Sequence, residues 1–178
     1  MIDIVSVIEA ILFAAGDSVP IARLSLILGV DEKEISSAAA QLQEQYSSQQ
    51  RGMRILRLED RLQMCSAPEF APYIGKALEQ RKPPALSQPA LETLAVVAYF
   101  QPVTRVVIDQ VRGVDSAHSL ALLLDRELVA PCGSLDAPGR PILYRTTPVF
   151  LRSFGLSSLE ELPPLPESGL NREEGQPW

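Results

Sequence analysis

The sequence predicts an α+β chain, mainly α-helical, built as two tandem copies of one small domain. Three observations predict it. Ile8 to Asp31 resembles Leu91 to Asp115, each running from an apolar residue followed by Glu through an apolar helix, a proline and an arginine to Gly-Val-Asp. The offset is 83 residues at the start of the match and 84 at its end, which indicates duplication of a domain and not a solenoid of shorter period. After each copy come two short apolar runs around a polar turn, the pattern of a β-hairpin.

The elements follow in order. Ile4, Ile8, Ile11, Leu12 and Ala15 recur at helical spacing, and Gly16-Asp17 ends that helix. Pro20 suits the start of a second helix carrying Leu24, Ile27 and Leu28. Gly29 suits its left-handed end. Asp31 caps a third helix running to about Tyr46, with Glu34 three positions on. "MRILRL" and "RLQMCS" read as strands around Glu59-Asp60, and "PEFAPYIGKAL" adds a short helix.

The second copy repeats this plan. Ser87 caps a helix over about 88–100, Thr104 caps "RVVIDQV", Gly113 stops it, and Asp115 caps "SAHSLALLLDR". "ELVAPCG" and "PILYRTT" form the hairpin, with Pro138-Gly139 as a type II turn and Pro141 placing its strand at a sheet edge. Thr147 caps "PVFLRSF" with Pro148 at the first helical position. Two helices, a capped third helix and a hairpin make a winged helix-turn-helix. The expected organisation is winged-helix domain 1 at 1–82, a Pro-rich linker at 83–86, winged-helix domain 2 at 87–163, and a polar, disordered tail at 164–178.

Composition bounds the function. A chain of 178 residues with 46% hydrophobic and 21% charged residues buries a core and folds. The net charge of -6 disfavours broad phosphate-backbone binding, and no segment is basic: 1–84, 85–163 and 164–178 each sum to -2. The apolar start lacks a basic leader and carries Asp3 and Glu9, so it does not read as a signal peptide, and no run of uncharged residues is long enough for a membrane span. Cys65 and Cys132 read as reduced thiols of a cytoplasmic protein.

No catalytic constellation stands out. His118 is the single histidine and falls on an exposed helix position. No metal-ligand spacing, Walker loop or dinucleotide fingerprint is present. The expectation is a non-enzyme without cofactor or metal. The DNA-reading alternative, a winged-helix transcription regulator, rests on Arg51, Arg54, Arg57 and Arg61 around the first wing, of which Arg51, Arg57 and Arg61 suit one basic face. A solvated strand surface or a charge-protected edge competes with it. Both third helices are poor in cations: Asp31 to Tyr46 has one Lys against four acids, and Asp115 to Arg126 has one arginine. Arg140 and Arg145 on the second wing suit solvent or an acidic partner.

Apolar surplus suggests protein contact instead. The first helix carries more apolar residues than one core stripe needs, which fits a dimer interface through Ile4, Ile8, Ile11 and Leu12. In the second copy, Ile108 and Val111 with one further residue satisfy the core, leaving Val106 and Val107 outside. Leu120, Leu123, Leu124 and Leu128 face inward on the next helix, leaving Ser116, His118, Ser119, Ala121 and Leu122 outside. Phe100, Val106, Val107 and Leu122 are the candidate partner-binding set.

The second copy also carries a family resemblance. "LSQPALETLAVVAYFQPVTRVVIDQVRGVDS" and "DAPGRPILYRTTPVFLRSFGLSSLEELPPLP" closely resemble the bacterial segregation and condensation protein B family. The most specific parts are Gln-Pro-Val-Thr-Arg, Arg-Gly-Val-x-Ser and Pro-Gly-Arg-Pro-x-x-Tyr-x-Thr-Thr. The resemblance spans about Val5 to Pro166. It implies tandem winged-helix domains, a homodimer through the first domains, and binding of the kleisin, segregation and condensation protein A. Through the kleisin it implies assembly with the chromosome-maintenance ATPase into the bacterial condensin, as an accessory subunit at the nucleoid, with direct DNA binding weak or absent. Asp115 stands where that pattern usually has Asn. Glu127 stands where it usually has Gly, so Glu127 must take an unusual backbone angle or the helix must end differently.

Overall fold

The computed structural model describes residues 3–78 and 84–165. Ile2, Pro83 of the expected linker and residues 166–178 of the expected tail lie outside the described residues. The chain divides into two compact units at Pro84/Ala85, each mainly helical with a small sheet.

In the first unit, α1 (Ile4–Ala15), α2 (Ile21–Leu28) and α3 (Glu32–Ser48) precede a hairpin of β2 (Met53–Leu58) and β3 (Arg61–Ser66). A 3-10 turn at Pro68–Phe70 leads into α4 (Ala71–Ala77). Local chemistry sets the boundaries. Gly16 and Gly29 take φ of +65° and +68°, the left-handed region where a side chain strains the backbone. Asp31 Oδ1 accepts the Glu34 N–H at 2.7 Å, one of the donors that a helix start leaves orphaned. A two-residue strand absent from the sequence reading, β1 (Val19–Pro20), completes the sheet in the order β1-β3-β2. The core gathers Ile8, Leu12, Leu24, Ile35, Leu42, Ile55 and Leu62 under this sheet and the three helices.

The second unit runs α5 (Gln88–Phe100), β4 (Val103–Thr104), α6 (Arg105–Arg112), α7 (Ala117–Asp125), β5 (Val129–Ser134), β6 (Ile142–Thr146) and α8 (Pro148–Phe154), with a 3-10 turn at Leu159–Glu161. Its core gathers Leu94, Val97, Val103, Ile108, Leu120, Leu123, Val129, Phe150 and Leu151. Thr104 and Thr147 cap α6 and α8 by accepting the Val107 and Phe150 N–H groups. Ser87 stands at the N-cap of α5 without a side-chain cap bond, and Ser116, one residue after Asp115, is the N-cap of α7. The Asp115 carboxylate still accepts the Ala117 N–H at 3.4 Å.

Three features depart from the sequence reading. The sheet order is β4-β6-β5, so Pro141 does not mark an edge; it precedes the central strand, and its carbonyl accepts the Leu135 N–H at 2.9 Å. The edge proline is Pro131 on β5, beside a register shift between Pro131 and Gly133. The repeat register holds at the helix ends, where Gly29 and Gly113 share φ near +70°, but not in the first helices. Ile8 is buried while Leu91, its sequence counterpart, is exposed; α5 buries Ala90, Thr93, Leu94 and Val97 instead. Finally, Glu127 does take the left-handed conformation, with φ +56°.

Candidate interaction surfaces

The first helix spends its best apolar residues on its own unit. Ile8 and Leu12 are fully buried, and Ile4 and Ile11 pack half-buried against the same core. At 100° per residue, positions 4, 8, 11 and 12 form a single stripe, which one small core consumes. The expected outward face at Ile8 and Leu12 is therefore corrected. The exposed apolar residues lie elsewhere: Phe13 on α1 is 73% exposed, and on α2 Leu26 is 83% exposed with Ile27 beside it. The signal was in the sequence. Ile21, Leu24, Leu26, Ile27 and Leu28 crowd a helix of 8 residues, more than one stripe can hold.

The first-wing arginines do not form one basic face. Arg57 pairs with Leu62 and Leu58 with Arg61, so Arg57 and Arg61 project from opposite faces of the hairpin. Arg61 turns to the first strand, donating to Ser18 Oγ at 2.8 Å and to the Ser18 carbonyl. Arg51 lies over the Tyr46 ring, 5.0 Å from its centroid. Arg57 Nε donates to the Glu59 carbonyl at 3.1 Å, across its own turn. Arg54 is exposed. On the second wing, Arg140 closes the turn by donating its N–H to Ala137 at 2.8 Å, with Gly139 at φ +82°, as a type II turn requires. Arg145 is exposed on β6.

In the second unit the valine pair splits. Val106 is 58% exposed, whereas Val107 is 8% exposed and packs inside next to Ile108. Val111, expected in the core stripe, is exposed instead. The helix is rotated from the expected phase, with Val107 and Ile108 facing the core and Val106 and Val111 outside. Ser116 and Ser119, expected outside, are buried. The Ser116 N–H donates to Asp109 Oδ1 at 2.7 Å, and its hydroxyl accepts from Arg112 at 2.8 Å. Leu122 is half-buried and His118 is exposed.

Phe100 lies in a built feature. Where α5 ends, the segment at Leu159–Leu165 returns along it and leaves an open groove of about 690 Å³. Phe100, Leu159, Leu162 and Leu165 give it an apolar lining, and Glu160 is its charged residue. The polar walls are satisfied from within: the Tyr99 hydroxyl donates to the Pro163 carbonyl at 2.6 Å, and Gln101 Oε1 accepts from the Thr146 N–H and hydroxyl. Such a lining suits another apolar chain and offers no acid–base pair. Among the described residues no group of three His, Cys, Asp or Glu is placed to hold a metal ion, and no helix is long and apolar enough to cross a membrane.

The comparisons with known proteins bear on both units at once. Residues 6–165 match the family model of the segregation and condensation complex subunit ScpB. The chain belongs to that family. Segregation and condensation protein B of Geobacillus thermodenitrificans is 46% identical over 163 residues, covering 91% of this chain and 78% of the relative. That of Moorella thermoacetica is 46% identical over 169 residues, covering 95% and 86%. Among solved structures, ScpB from Mycobacterium tuberculosis is 30% identical, covering 88% of this chain and 99% of that one, at a TM-score of 0.42. A dimer of the ScpB N-terminal domain complexed with a ScpA peptide is 30% identical over 41% of this chain and 91% of that one, at a TM-score of 0.39. The ScpB match runs from α1 through the groove, so the exposed apolar residues of α1 and α2 and the Phe100 groove all fall inside it. The groove wall at Leu159–Leu165 had no place in the candidate set read from sequence. Its signal was the Leu-Glu-Glu-Leu-Pro-Pro-Leu run, whose leucines sit on a segment too short and proline-rich to bury them.

Proposed function

We propose that this chain is a non-catalytic accessory subunit of a bacterial condensin. It binds the kleisin, segregation and condensation protein A, and through it the chromosome-maintenance ATPase, in support of chromosome condensation and segregation at division. The observation that carries the reading is family membership over residues 6–165, which takes in both units. The tandem organisation fits winged helix-turn-helix domains at 1–82 and 87–163: three helices followed by a wing hairpin occur in each unit. The second helix of each leads into its third through a left-handed glycine.

Homodimerisation is assigned to the first unit, with Phe13, Leu26 and Ile27 replacing the buried Ile8 and Leu12. The kleisin is assigned to the second unit, at the Phe100 groove with exposed Val106 and half-buried Leu122; Val107 is withdrawn because it is core. The acidic balance and the cation-poor third helices support weak or absent direct DNA binding, and the complex would act in the cytoplasm at the nucleoid.

Light scattering on the purified chain, with and without a kleisin fragment, tests this. A dimer that gains mass with the kleisin supports the reading. A monomer indifferent to the kleisin overturns it, and tight DNA binding that falls steeply with salt would favour a transcription regulator.

A further inference from the structure

The groove at the end of α5 is apolar, and it is also short of hydrogen-bond donors. Its described lining holds two side-chain donors, and both are engaged. The Tyr99 hydroxyl donates to the Pro163 carbonyl at 2.6 Å, and the Gln101 side-chain amide donates to the Ala98 carbonyl at 3.1 Å. Pro163 and Pro164 have no N–H. The Leu162 N–H donates to the Leu159 carbonyl at 3.1 Å, and the Gln101 N–H to the Val97 carbonyl at 3.0 Å.

Acceptors are left over. Glu160 is exposed, and among the described residues its carboxylate has no hydrogen bond or ion pair. Ala98 to Gln101 bring the C-terminal end of α5 to the same groove. A helix leaves its last carbonyls without N–H partners of its own, and that end carries the negative pole of its dipole. No basic residue sits in the last turn of α5 to offset it. Half-buried Tyr99 and Phe100 add aromatic surface to the lining.

We infer that the groove takes an arginine side chain of the kleisin, an inference that rests on the reading that the kleisin docks here. An arginine matches each of these features. Its aliphatic stem covers Leu159, Leu162 and Leu165, as long cationic side chains do on apolar surfaces. Its guanidinium meets Glu160 and the carbonyl end of α5, and its plane stacks on an aromatic ring. A wholly apolar occupant would leave Glu160 unpaired while drawing it out of water. An acidic occupant would set like charge against Glu160 and the helix end. Two copies of this groove placed face to face would oppose Glu160 with Glu160.

The test titrates the full chain with the purified kleisin of the same bacterium at low and high salt, by calorimetry. Leu165 is 44% exposed and Glu160 is exposed, so both can be exchanged with the fold intact. Leu165→Ser asks whether the kleisin uses the groove, and should weaken binding about fivefold. Glu160→Gln asks whether a cation sits there, and should weaken binding about threefold at low salt and less at high salt. Glu160→Lys should weaken it about tenfold. Among Arg→Gln variants of the kleisin, one should lose less against the Glu160→Gln chain than against the parent, which identifies the arginine. If Leu165→Ser weakens binding and both Glu160 variants bind as the parent does, the groove is the kleisin site but holds no cation, and the inference falls alone. If all three variants bind as the parent does, the inference falls together with the groove assignment. No kleisin arginine coupled to Glu160, or a loss of dimer mass in Glu160→Lys that gives the groove to a second copy, would also overturn it.

Discussion

Arg112 of α6 reaches Glu92 of α5 with Nη2 3.2 Å from the carboxylate, while only 5% of the arginine side chain is exposed. Arg112 occupies the position just before the left-handed Gly113, which Leu28 occupies before Gly29 in the first unit. One unit thus fills this site with a hydrocarbon and the other with a buried cation. The cation is held by Glu92 and Ser116, and its Nε has no partner. Removing Glu92 strands a buried charge, whereas replacing Arg112 with Leu removes the desolvation cost as well as the bond. Glu92→Ala should cost about 2 kcal/mol in urea unfolding, and Arg112→Leu in that background should restore most of it. Equal losses from both single changes that add in the double variant would show that the pair is not coupled.

Glu127 stands at φ +56° between α7 and β5, with its carbonyl accepting the Thr147 hydroxyl. A side chain there is strained by its β-carbon, and that hydrogen bond uses only backbone at position 127. Glu127→Gly should stabilise the chain by about 0.5–1 kcal/mol, the relief of strain outweighing the greater freedom of the unfolded chain. Thermal unfolding would read this as a rise of a few degrees. A fall would mean that the Glu127 side chain contributes more than its geometry indicates.

These two sites mark where sequence is legible and where it is not. The caps at Asp31, Thr104 and Thr147 and the glycines at 16, 29 and 113 are local chemistry, written within four residues of where they act, and they outline most of the helices. The strain at Glu127 was legible only against the family pattern, which usually has Gly there, and that left a different helix end open as the alternative. The inside member of Val106-Val107 was not, because neighbours on a helix differ by 100° and eight residues fix the phase poorly. The strands β1 and β4 span two residues each, too short for any alternation to register. The arginine face at the wing failed on register, since one step along a strand exchanges its faces. Nothing local to Arg112 marks it as buried; the carboxylate it meets belongs to Glu92, twenty residues away.

Tyr46 of α3 donates its hydroxyl to Glu9 of α1. That hydrogen bond to the carboxylate, with burial and the carboxylate's charge adding to it, raises the Tyr46 pKa above the usual tyrosine value of 10.0. A raised folded-state pKa means the folded chain holds this proton more tightly than the unfolded chain. The resulting stability is full below the unfolded tyrosine pKa and is lost as pH rises through the folded one. Unfolding free energy should therefore decline above about pH 10, and Tyr46→Phe should flatten that part of the profile. Phenolate absorbance should show one of the four tyrosines titrating late. A Tyr46→Phe profile that overlays the parent would exclude this linkage.

Dimerisation and folding should separate on α1, because its apolar residues do two different things. Ile8 is fully buried in the core of the first unit, and truncating it to Ala should cost about 3 kcal/mol of stability from lost burial and the cavity left behind. Phe13, five residues on, is 73% exposed and contributes little to its own core. With Leu26 and Ile27 it makes up the apolar surface proposed to meet a second copy. Phe13→Glu with Leu26→Glu should leave the far-ultraviolet circular dichroism spectrum unchanged and shift the mass in light scattering from dimer to monomer. Ile8→Ala should do the reverse, lowering the melting temperature while the folded fraction remains dimeric at high concentration. If the double glutamate variant stays dimeric, the interface lies on another face. The exposed Phe70, Tyr73 and Leu78 around α4 would be the next residues to exchange.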